Sequence, residues 1–276
     1  MPSLYVVATP IGNLEDISPR AIRILREVGL IAAEDTRRTA RLLNAYEVKT
    51  PLTSYHEHNK KAKLGFLMQR LKEFDMALVS DAGMPGISDP GHDLVVEAIG
   101  QNIRVIPIPG PSVVITAVAV SGLKSDSFRY LGFLPRKAGD RRRFLESVSG
   151  DVSTLVILEA PHRLLSALKD IITVLGDRRV AVCRELTKIN EEIFRGTISQ
   201  ALSHFTTPRG EFALVVEGMT ELATPQPADD VDSQLRELQL QGKTAKEAIS
   251  EISGKTGISR RQLYQVWTRL IRGDGK

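Results

Sequence analysis

Short apolar runs and amphipathic segments alternate along most of the chain. In the first half the apolar runs predict buried strands, and the segments between them carry apolar residues at the three- and four-residue spacing of helices. The predicted strands are Leu4–Ala8, Leu30–Ala33, Met76–Ser80 and Arg104–Ile108, and the predicted helices are Pro19–Val28, Thr36–Tyr46, Asn59–Phe74 and Asp89–Gln101. This alternation predicts a mostly parallel sheet covered by helices.

The same pattern resumes after Gly122. The predicted strands there are Arg129–Phe133, Thr154–Glu159, Arg179–Glu185 and Phe212–Glu217, with a further strand at Glu191–Gly196 and helices at Asp140–Val148, Leu164–Leu175 and Ile198–His204. We therefore predict an N-terminal α/β domain over residues 1–121 and a C-terminal α/β domain over residues 122–220.

The end of the chain has a different pattern. Residues 221–230 hold two prolines and few large apolar groups, which predicts a linker. Residues 231–276 predict a small helical unit, because helical periodicity returns there with Gly257 and Ser259 placed as end and start signals. Its predicted helices are Val231–Gln241, Thr244–Ser253 and one that runs from the cap at Ser259 to Ile271. Two helices joined by a short glycine-containing turn resemble a helix-turn-helix.

Composition fits an ordinary globular protein, with 42% hydrophobic and 25% charged residues in a chain of 276. The single cysteine, Cys183, excludes an internal disulfide and a multi-cysteine metal site, and we predict no metal. We find neither a signal peptide nor an apolar run of about 18 residues, so we expect a cytoplasmic protein with no membrane contact.

Positive charge is unevenly distributed along the chain. The net charge is +4, but residues 243–276 alone carry +5, which leaves −1 for the rest. A second basic cluster lies within residues 136–143, and clustered cations suit nucleic-acid phosphates, but for either cluster taken alone a solvated basic face is the favoured interpretation. The candidate RNA-binding residues are Arg136, Lys137, Arg141, Arg142 and Arg143 in one cluster, and Arg260, Arg261 and Arg269 in the helical unit.

Segments that are polar or rich in glycine and proline follow each predicted strand of the first half. They occupy residues 9–14, 34–37, 80–91 and 107–112. The carboxyl ends of parallel strands are the edge where open α/β sheets bind ligands, so three or more such loops predict a site. Ser112 is a predicted N-cap whose helix would offer free N–H groups to a carboxylate. Neither a G-x-G-x-x-G nor a phosphate-loop motif is present, which disfavours an ordinary dinucleotide or nucleoside triphosphate site.

Charged residues lie at the ends of two predicted strands of the second half. They are Glu159, His162 and Arg163 at the end of one strand, and Arg184, Glu185 and Lys188 at the end of the other. Buried charges need partners, so the simplest interpretation is a salt-bridge network between domains. The functional interpretation is a substrate pocket that faces the loops of the first half.

Eight motifs occur in order along the chain. They are Thr-Pro-Ile-Gly-Asn-Leu (9–14), Ala-Glu-Asp-Thr-Arg (33–37), Ser-Asp-Ala-Gly-Met-Pro-Gly-Ile-Ser-Asp-Pro-Gly (80–91), Pro-Gly-Pro-Ser (109–112), Gly-Phe-Leu-Pro (132–135), Glu-Ala-Pro-His-Arg (159–163), Arg-Glu-Leu-Thr-Lys (184–188) and Gly-Glu-Phe (210–212). Together they resemble the ribosomal RNA small-subunit methyltransferase I family, within the tetrapyrrole-methylase-like class. The chain departs from that pattern at Met84, where threonine is usual, and at Ala160, where serine or threonine is usual.

The resemblance implies two α/β domains of the tetrapyrrole-methylase type with S-adenosylmethionine in the cleft between them. It also implies 2′-O-methylation of a cytidine in 16S ribosomal RNA, within the small subunit, by a homodimer. The cofactor contacts that it implies are Pro10, Asp81, Ala82, Gly83, Met84, Ser112, Val113, Leu158 and Glu211.

Methyl transfer to a ribose hydroxyl needs alignment, a proton acceptor and a partner for negative charge. Our hypothesis gives the proton to Glu159, Glu185 or His162. Lys188, Arg163 or Arg184 would then stabilise the oxygen or a nearby phosphate, and Asn13 would orient the ribose.

Two other functions stay open at this point. One is methylation of a small tetrapyrrole, which the extended basic segments disfavour. The other is a non-catalytic RNA-binding protein, which would leave the loops at the strand ends unexplained.

Overall fold

The computed structural model describes residues 2–87, 89–219, 228–256 and 260–272. This part of the chain forms two compact units, divided between Gly218 and Met219. Within the described residues, no helix is both long and apolar enough to span a bilayer.

The first sheet is entirely parallel. Its strands are β1 (Ser3–Val7), β2 (Leu30–Ala33), β3 (Leu52–Ser54), β4 (Met76–Val79) and β5 (Arg104–Ile108), in the order β3-β2-β4-β1-β5. Its helices are α1 (Pro19–Glu27), α2 (Thr36–Ala45), α3 (Lys60–Arg70) and α4 (Gly91–Gly100). The predicted parallel sheet is confirmed, and β3 is the strand that the sequence pattern missed.

Helices cover both faces of this sheet. Val7 and Ile31 pack on α1 and α2, whereas Leu4 and Leu78 pack on α3 and α4. Because neighbouring side chains of a strand point to opposite faces, strands that are buried on both sides read as continuous apolar runs. That burial fixes the sheet and leaves the loops at its carboxyl edge free to form a site.

The next helix, α5 (Val113–Ser121), belongs structurally to the second sheet. Ser112 caps its start by accepting a hydrogen bond from the N–H of Ile115 at 3.5 Å. Val114 and Val118 pack with residues of the second sheet. The division at residues 121 and 122 therefore stays a prediction, and it separates α5 from the sheet that it covers.

The second sheet is mixed. Its strands are β6 (Phe128–Phe133), β7 (Thr154–Glu159), β8 (Arg179–Arg184), β9 (Glu192–Thr197) and β10 (Phe212–Val216), in the order β6-β7-β10-β8-β9. The remaining helices of this unit are α6 (Ala138–Ser147), α7 (Pro161–Leu175) and α8 (Ile198–His204).

Only the β6–β7 pair of this sheet is parallel, whereas every strand pair of the first sheet is parallel. The connection from β8 to β9 is too short to hold a crossover helix, which favours an antiparallel pair. Strand β10 runs antiparallel between β7 and β8, and Phe212 pairs with both Glu159 and Arg184. The ends of β7 and β8 and the start of β10 therefore share one edge.

The second unit is a three-helix cluster of α9 (Ala228–Leu240), α10 (Ala245–Thr256) and α11 (Arg260–Arg272). Its core includes Leu235, Ile252 and Trp267. Trp267 is 6% exposed and Tyr264 60% exposed, so only the tryptophan belongs to the core face. Helix α9 begins at Ala228, inside the predicted linker 221–230, whereas the predicted signals Gly257 and Ser259 lie outside the described residues.

Candidate active site

A cavity of about 960 Å³ lies within the first unit. Loops of the first sheet line one side of it, and the shared edge of the second sheet lines the other. The predicted site residues that line it are Asp81, Ala82, Gly83, Met84, Ser112, Val113, Leu158, Glu159, His162, Glu185, Lys188 and Glu211. Residues from distant parts of the sequence therefore meet at one place.

The loops of the first sheet are fastened to each other by backbone hydrogen bonds. The N–H of Thr9 donates to the carbonyl of Gly83 at 2.9 Å, and the N–H of Gly83 donates back at 3.0 Å. Gly83 has a φ of +81°, which side chains rarely adopt, and lies against the backbone of Pro111. The loops after β1, β4 and β5 therefore form one rigid wall.

Two carboxylates face the cavity from this wall. Asp81 accepts a hydrogen bond from the N–H of Asp35 at 3.0 Å and pairs with Arg38 at 3.3 Å. Glu34 accepts from the N–H of Asp81 at 3.3 Å. Burial raises the pKa of the Glu34 carboxyl, and the negative charges of Asp81 and Asp89 act in the same direction.

Glu34 lines the cavity but was not among the predicted site residues. Glu34 is the first residue after β2, and Asp81 is the second residue after β4. These two strands are neighbours in the sheet, so the two side chains lie at the same edge. The sequence contained this signal, but it could be used only once the strand order was known.

Lys188 lies between two carboxylates on the other side of the cavity. Its Nζ donates to Glu185 Oε1 at 3.0 Å and to Glu211 Oε2 at 2.7 Å. Burial lowers the pKa of the Lys188 ammonium, but these two hydrogen bonds outweigh it and bring the pKa above its ordinary value. Lys188 is therefore a permanent cation at neutral pH.

Glu185 is the centre of this cluster. Its Oε1 also accepts a hydrogen bond from the N–H of Glu211 at 2.8 Å. Burial acts to raise the pKa of the Glu185 carboxyl, but the hydrogen bonds from Glu211 and Lys188 bring it below the ordinary value. Glu185 is thus a weak base that holds Lys188 in position.

The backbone of the segment 185–188 is strained. Glu185 has a φ of 50° and Thr187 a φ of 67°, although neither is glycine. Such conformations cost about 1–3 kcal/mol each and persist only where the surroundings impose them. Two glycines make room for the segment, since a Cβ on Gly12 would lie 2.5 Å from Lys188 Cγ and one on Gly210 would lie 2.4 Å from Glu185 Cγ.

Glu159 is the third carboxylate at the shared edge. It is 2% exposed, and its Oε1 accepts from the N–H of Ala160 at 2.9 Å and pairs with Arg163 Nε at 3.0 Å. Its Oε2 is buried without a hydrogen-bond partner in the described part of the chain. Burial raises the pKa of the Glu159 carboxyl, which outweighs the opposing effects of the Ala160 N–H and the Arg163 charge.

Four predicted site residues do not line the cavity, although the structure describes all of them: Pro10, Asn13, Arg163 and Arg184. Asn13 accepts a hydrogen bond from the N–H of Glu15 at 3.1 Å and caps a 3-10 helix over Leu14–Asp16. Arg184 donates to the carbonyl of Arg209 at 2.8 Å and pairs with Glu192. The polar groups of Asn13 and Arg184 are therefore used in holding loops.

Arg141 was predicted to contact RNA, but it is buried and so is not part of an RNA-binding surface. Arg141 is 5% exposed, and its Nε donates to Asp170 at 2.7 Å. Arg142 also pairs with Asp170 at 2.7 Å, while its side chain remains half exposed. A buried ion pair is costly to leave half-made, so Arg141 has a structural role.

The other predicted RNA contacts differ in their surroundings. Arg136 and Lys137 are exposed, and Arg143 is exposed and paired with Asp140. Arg269 pairs with Asp232 at 2.8 Å. The side chains of Arg260 and Arg261 lie outside the described residues. Among the residues that are described, no group of three or more His, Cys, Asp or Glu side chains is placed to hold a metal ion.

The cavity fits S-adenosylmethionine. Its volume lies in the range of about 300–1,000 Å³ that is common for ligand sites. Asp81 and Glu34 offer acceptors for hydroxyl and ammonium groups, and the capped start of α5 offers N–H groups to a carboxylate. Apolar contacts with a nucleoside are available from Val113 and Leu158.

Comparisons with known proteins agree with this arrangement. Residues 3–202 match the family model described as Tetrapyrrole (Corrin/Porphyrin) Methylases. A protein of Halalkalibacterium halodurans named Ribosomal RNA small subunit methyltransferase I is 46% identical, with 96% of this chain and 94% of the relative covered. One of the same name from Thermotoga maritima is 51% identical, with 79% and 99% covered.

Solved structures share the fold at low sequence identity. A diphthine synthase aligns with a TM-score of 0.61 and 14% identity, over 79% of this chain and 90% of its own. A uroporphyrin-III-C-methyltransferase from Thermus thermophilus aligns with a TM-score of 0.54 and 17% identity, over 78% and 94%.

Proposed function

Because the chain belongs to the tetrapyrrole (corrin/porphyrin) methylase family and is an S-adenosylmethionine-dependent methyltransferase, we propose that it methylates the 2′-hydroxyl of a cytidine in 16S ribosomal RNA of the small subunit. The observation that carries this proposal is the similarity, over nearly the whole chain, to relatives that are named for this RNA. Such a protein would work in the cytoplasm, where ribosomal subunits are modified.

The donor side of the site combines the wall of the first sheet with the start of α5 and with two residues at the edge of the second sheet, Leu158 and Glu211. When bound, S-adenosylmethionine supplies an electrophilic methyl group on a cationic sulfur. We assign its binding to Asp81, Ala82, Gly83, Met84, Ser112, Val113, Leu158 and Glu211, all of which line the cavity. Pro10 can act only indirectly, through the loop after β1, because it does not line the cavity.

Lys188 is the group on the acceptor side that suits a negatively charged oxygen. A ribose hydroxyl gains negative charge as it reacts, and a fixed cation in a site that excludes water stabilises that charge strongly. Glu185 and Glu211 hold the ammonium in place and keep it charged. Lys188 cannot also be the base, since its pKa is raised.

Glu159 and His162 are the candidates to accept the proton of the hydroxyl. Both line the cavity. A general base works best when its pKa lies near the working pH, and burial moves the pKa of Glu159 in that direction. Glu185 is less suited, because its pKa is lowered.

The pH dependence of kcat separates these two candidates. If Glu159 is the base, kcat should rise with pH through the raised pKa of its carboxyl, because only the carboxylate accepts a proton. Glu159→Gln should then lower kcat by about 10²–10⁴-fold and remove this rise. His162→Gln should keep the rise; a rise that survives in Glu159→Gln and disappears in His162→Gln would assign the base to His162 instead.

Labelled methyl transfer tests the proposed function directly. Small ribosomal subunits that lack the modification should become labelled at the 2′-oxygen of one cytidine when they are incubated with the protein and labelled S-adenosylmethionine. A tetrapyrrole offered in parallel should remain unlabelled. Label in the tetrapyrrole, or in neither substrate, would overturn the proposal.

The exposed cations within residues 136–143 should contribute to RNA affinity. Replacing Arg136, Lys137 and Arg143 by glutamine should weaken binding to the small subunit and reduce the slope of log affinity against log salt by about 0.7–0.9 for each phosphate that is no longer neutralised. Lys72→Gln, which removes an exposed lysine that follows α3, is the control and should change neither quantity. Equal salt slopes for the triple variant and the wild type would remove this cluster from the RNA-binding surface.

The predicted homodimer has a candidate contact on α4. Val96 and Ile99 are 53% and 59% exposed and lie one helical turn apart. Exposed apolar side chains of this kind mark interaction surfaces when they cluster. We expect Val96→Asp together with Ile99→Asp to shift the protein to a monomer in sedimentation velocity, whereas Val152→Asp, at an exposed apolar residue between α6 and β7, should leave the mass unchanged. A wild-type monomer would exclude the dimer.

A further inference from the structure

An exposed aromatic ring lies at the cavity, outside the machinery described above. Phe133 ends β6, lines the cavity and is 59% exposed. A phenylalanine in water loses the free energy that burial would give it. A ring that is exposed at the wall of a ligand cavity is therefore a candidate contact for something that enters the cavity.

A β-bulge turns this ring toward the cavity. Tyr130 pairs with Val156 and Gly132 with Ile157, so β6 has one residue more than β7 between these pairs. In a regular strand, residues 130 and 133 would lie on opposite faces, because side chains alternate. The extra residue, together with the φ of +67° at Gly132, lets both Tyr130 and Phe133 line the cavity.

Two arginines hold the backbone that follows Phe133. Arg163 donates to the carbonyl of Leu134, and Arg141 donates to the carbonyl of Arg136 at 3.2 Å. Both arginines are themselves fixed, the first by Glu159 and the second by Asp170. Phe133 is thus carried by a rigid segment, and a ring that is already in position loses little entropy when it binds.

Positive charge follows the ring directly. Arg136 and Lys137 are exposed, and neither forms an ion pair with any residue that the structure describes. An exposed aromatic side chain beside free cations is the combination by which proteins bind single-stranded nucleic acid, where the ring stacks on a base and the cations contact phosphates.

We propose that Phe133 stacks on the base of a nucleotide that is unpaired or turned out of the RNA fold, while Arg136 and Lys137 hold the adjoining phosphates. The inference rests on the proposed function and adds that the substrate must present its base singly. A cavity of about 960 Å³ has room for the methyl donor and one nucleoside. A second copy of the chain seated on Phe133 would instead cover part of this cavity's wall.

Substitutions at Phe133 test the stacking contact. Phe133→Ala should lower kcat/KM for unmodified small subunits by roughly 5-fold to 150-fold, which corresponds to the removal of one base–aromatic stack. Phe133→Trp should retain activity near the wild-type level, and Phe133→Leu should resemble alanine, because leucine keeps the apolar bulk without an aromatic face. Equal activity of the leucine variant and the wild type would overturn stacking.

Two further measurements exclude other occupants. The affinity for S-adenosylmethionine, measured by calorimetry, should be unchanged in Phe133→Ala, and so should the sedimentation coefficient. A weakened donor affinity would mean that the ring stacks on the donor, and a changed oligomeric state would mean that it contacts a second copy; either result overturns the proposal. Wild-type methylation of the subunit is the reference, and its absence would refute the proposed function rather than this contact.

Discussion

Lys188→Met should reduce kcat for methylation of the small subunit by about 10²–10³-fold, the loss that follows removal of one fixed group that stabilises a developing anion. The affinity for S-adenosylmethionine should change little, because Lys188 is not itself an assigned donor contact and only its partner Glu211 is. The expected loss of kcat follows from the position of the Lys188 ammonium, which two carboxylates hold at 3.0 Å and 2.7 Å. Single-turnover kinetics with labelled donor would measure the change.

Two control variants make this result interpretable. Lys72→Met removes an exposed lysine after α3 and should leave kcat unchanged. Glu211→Gln keeps the shape of the Lys188 contact but removes one charge, so we expect a smaller loss than in Lys188→Met. Wild-type kcat in Lys188→Met, with normal folding, would exclude Lys188 from the chemistry.

Gly210→Ala should combine a large loss of activity with a clear loss of stability. Gly210 has a φ of +86°, and a Cβ there would lie 2.4 Å from Glu185 Cγ and 2.7 Å from Glu185 Oε1. The left-handed conformation alone costs a non-glycine residue about 1–2 kcal/mol. The contact would also displace Glu185 and with it Lys188, so kcat should fall at least about 10-fold on the scale of a misplaced catalytic group.

Gly176→Ala is the matched control for this prediction. Gly176 has nearly the same φ, +85°, but no atom lies within 4 Å of its added Cβ. Its ψ of −180° completes a conformation that is almost confined to glycine, so this variant should lose only that conformational cost, about 1–3 kcal/mol by urea denaturation, and keep full activity. The loss of kcat in each variant is to be compared with its loss of unfolding free energy. If the ratio of these two losses is the same for Gly210→Ala and Gly176→Ala, the segment 185–188 has no special role in positioning Lys188.

The first sheet could be predicted from the sequence because burial on both faces leaves an unambiguous pattern. Strands β2 and β4 are continuous apolar runs that are buried throughout, and N-caps such as Ser18 and Asp35 mark where α1 and α2 begin. Strand β3 could not be predicted in this way, because Leu52–Ser54 is short and only partly buried and so leaves no apolar run.

The sequence pattern does not indicate the direction of β10. The alternation of strands and helices predicts an α/β domain here as well, but it does not show that β10 runs antiparallel between β7 and β8. Glu159 and Glu185 nevertheless line the same cavity, because β7 and β8 run in the same direction on either side of β10. Glu211 joins them because β10 starts where the other two end.

Charge alone did not distinguish a binding residue from a structural one. Arg141, Arg142 and Arg143 are adjacent in sequence, but the helical turn of α6 directs Arg141 into the core against Asp170 and leaves Arg143 exposed. The partner lies in α7, 29 residues away, so only the tertiary structure reveals the pair. Glu34 lies in the segment 34–37 that the sequence places at the ligand edge, but only the pairing of β2 with β4 shows that it lies beside Asp81.

A crystal soaked with S-adenosylmethionine would show directly whether the methyl donor binds in the cavity. We expect the donor inside the cavity, in contact with Asp81 and the start of α5, with its methyl group directed toward the side that holds Lys188. A donor bound elsewhere, or a cavity that closes and leaves no room for it, would show that the cavity is not the methyl-donor site.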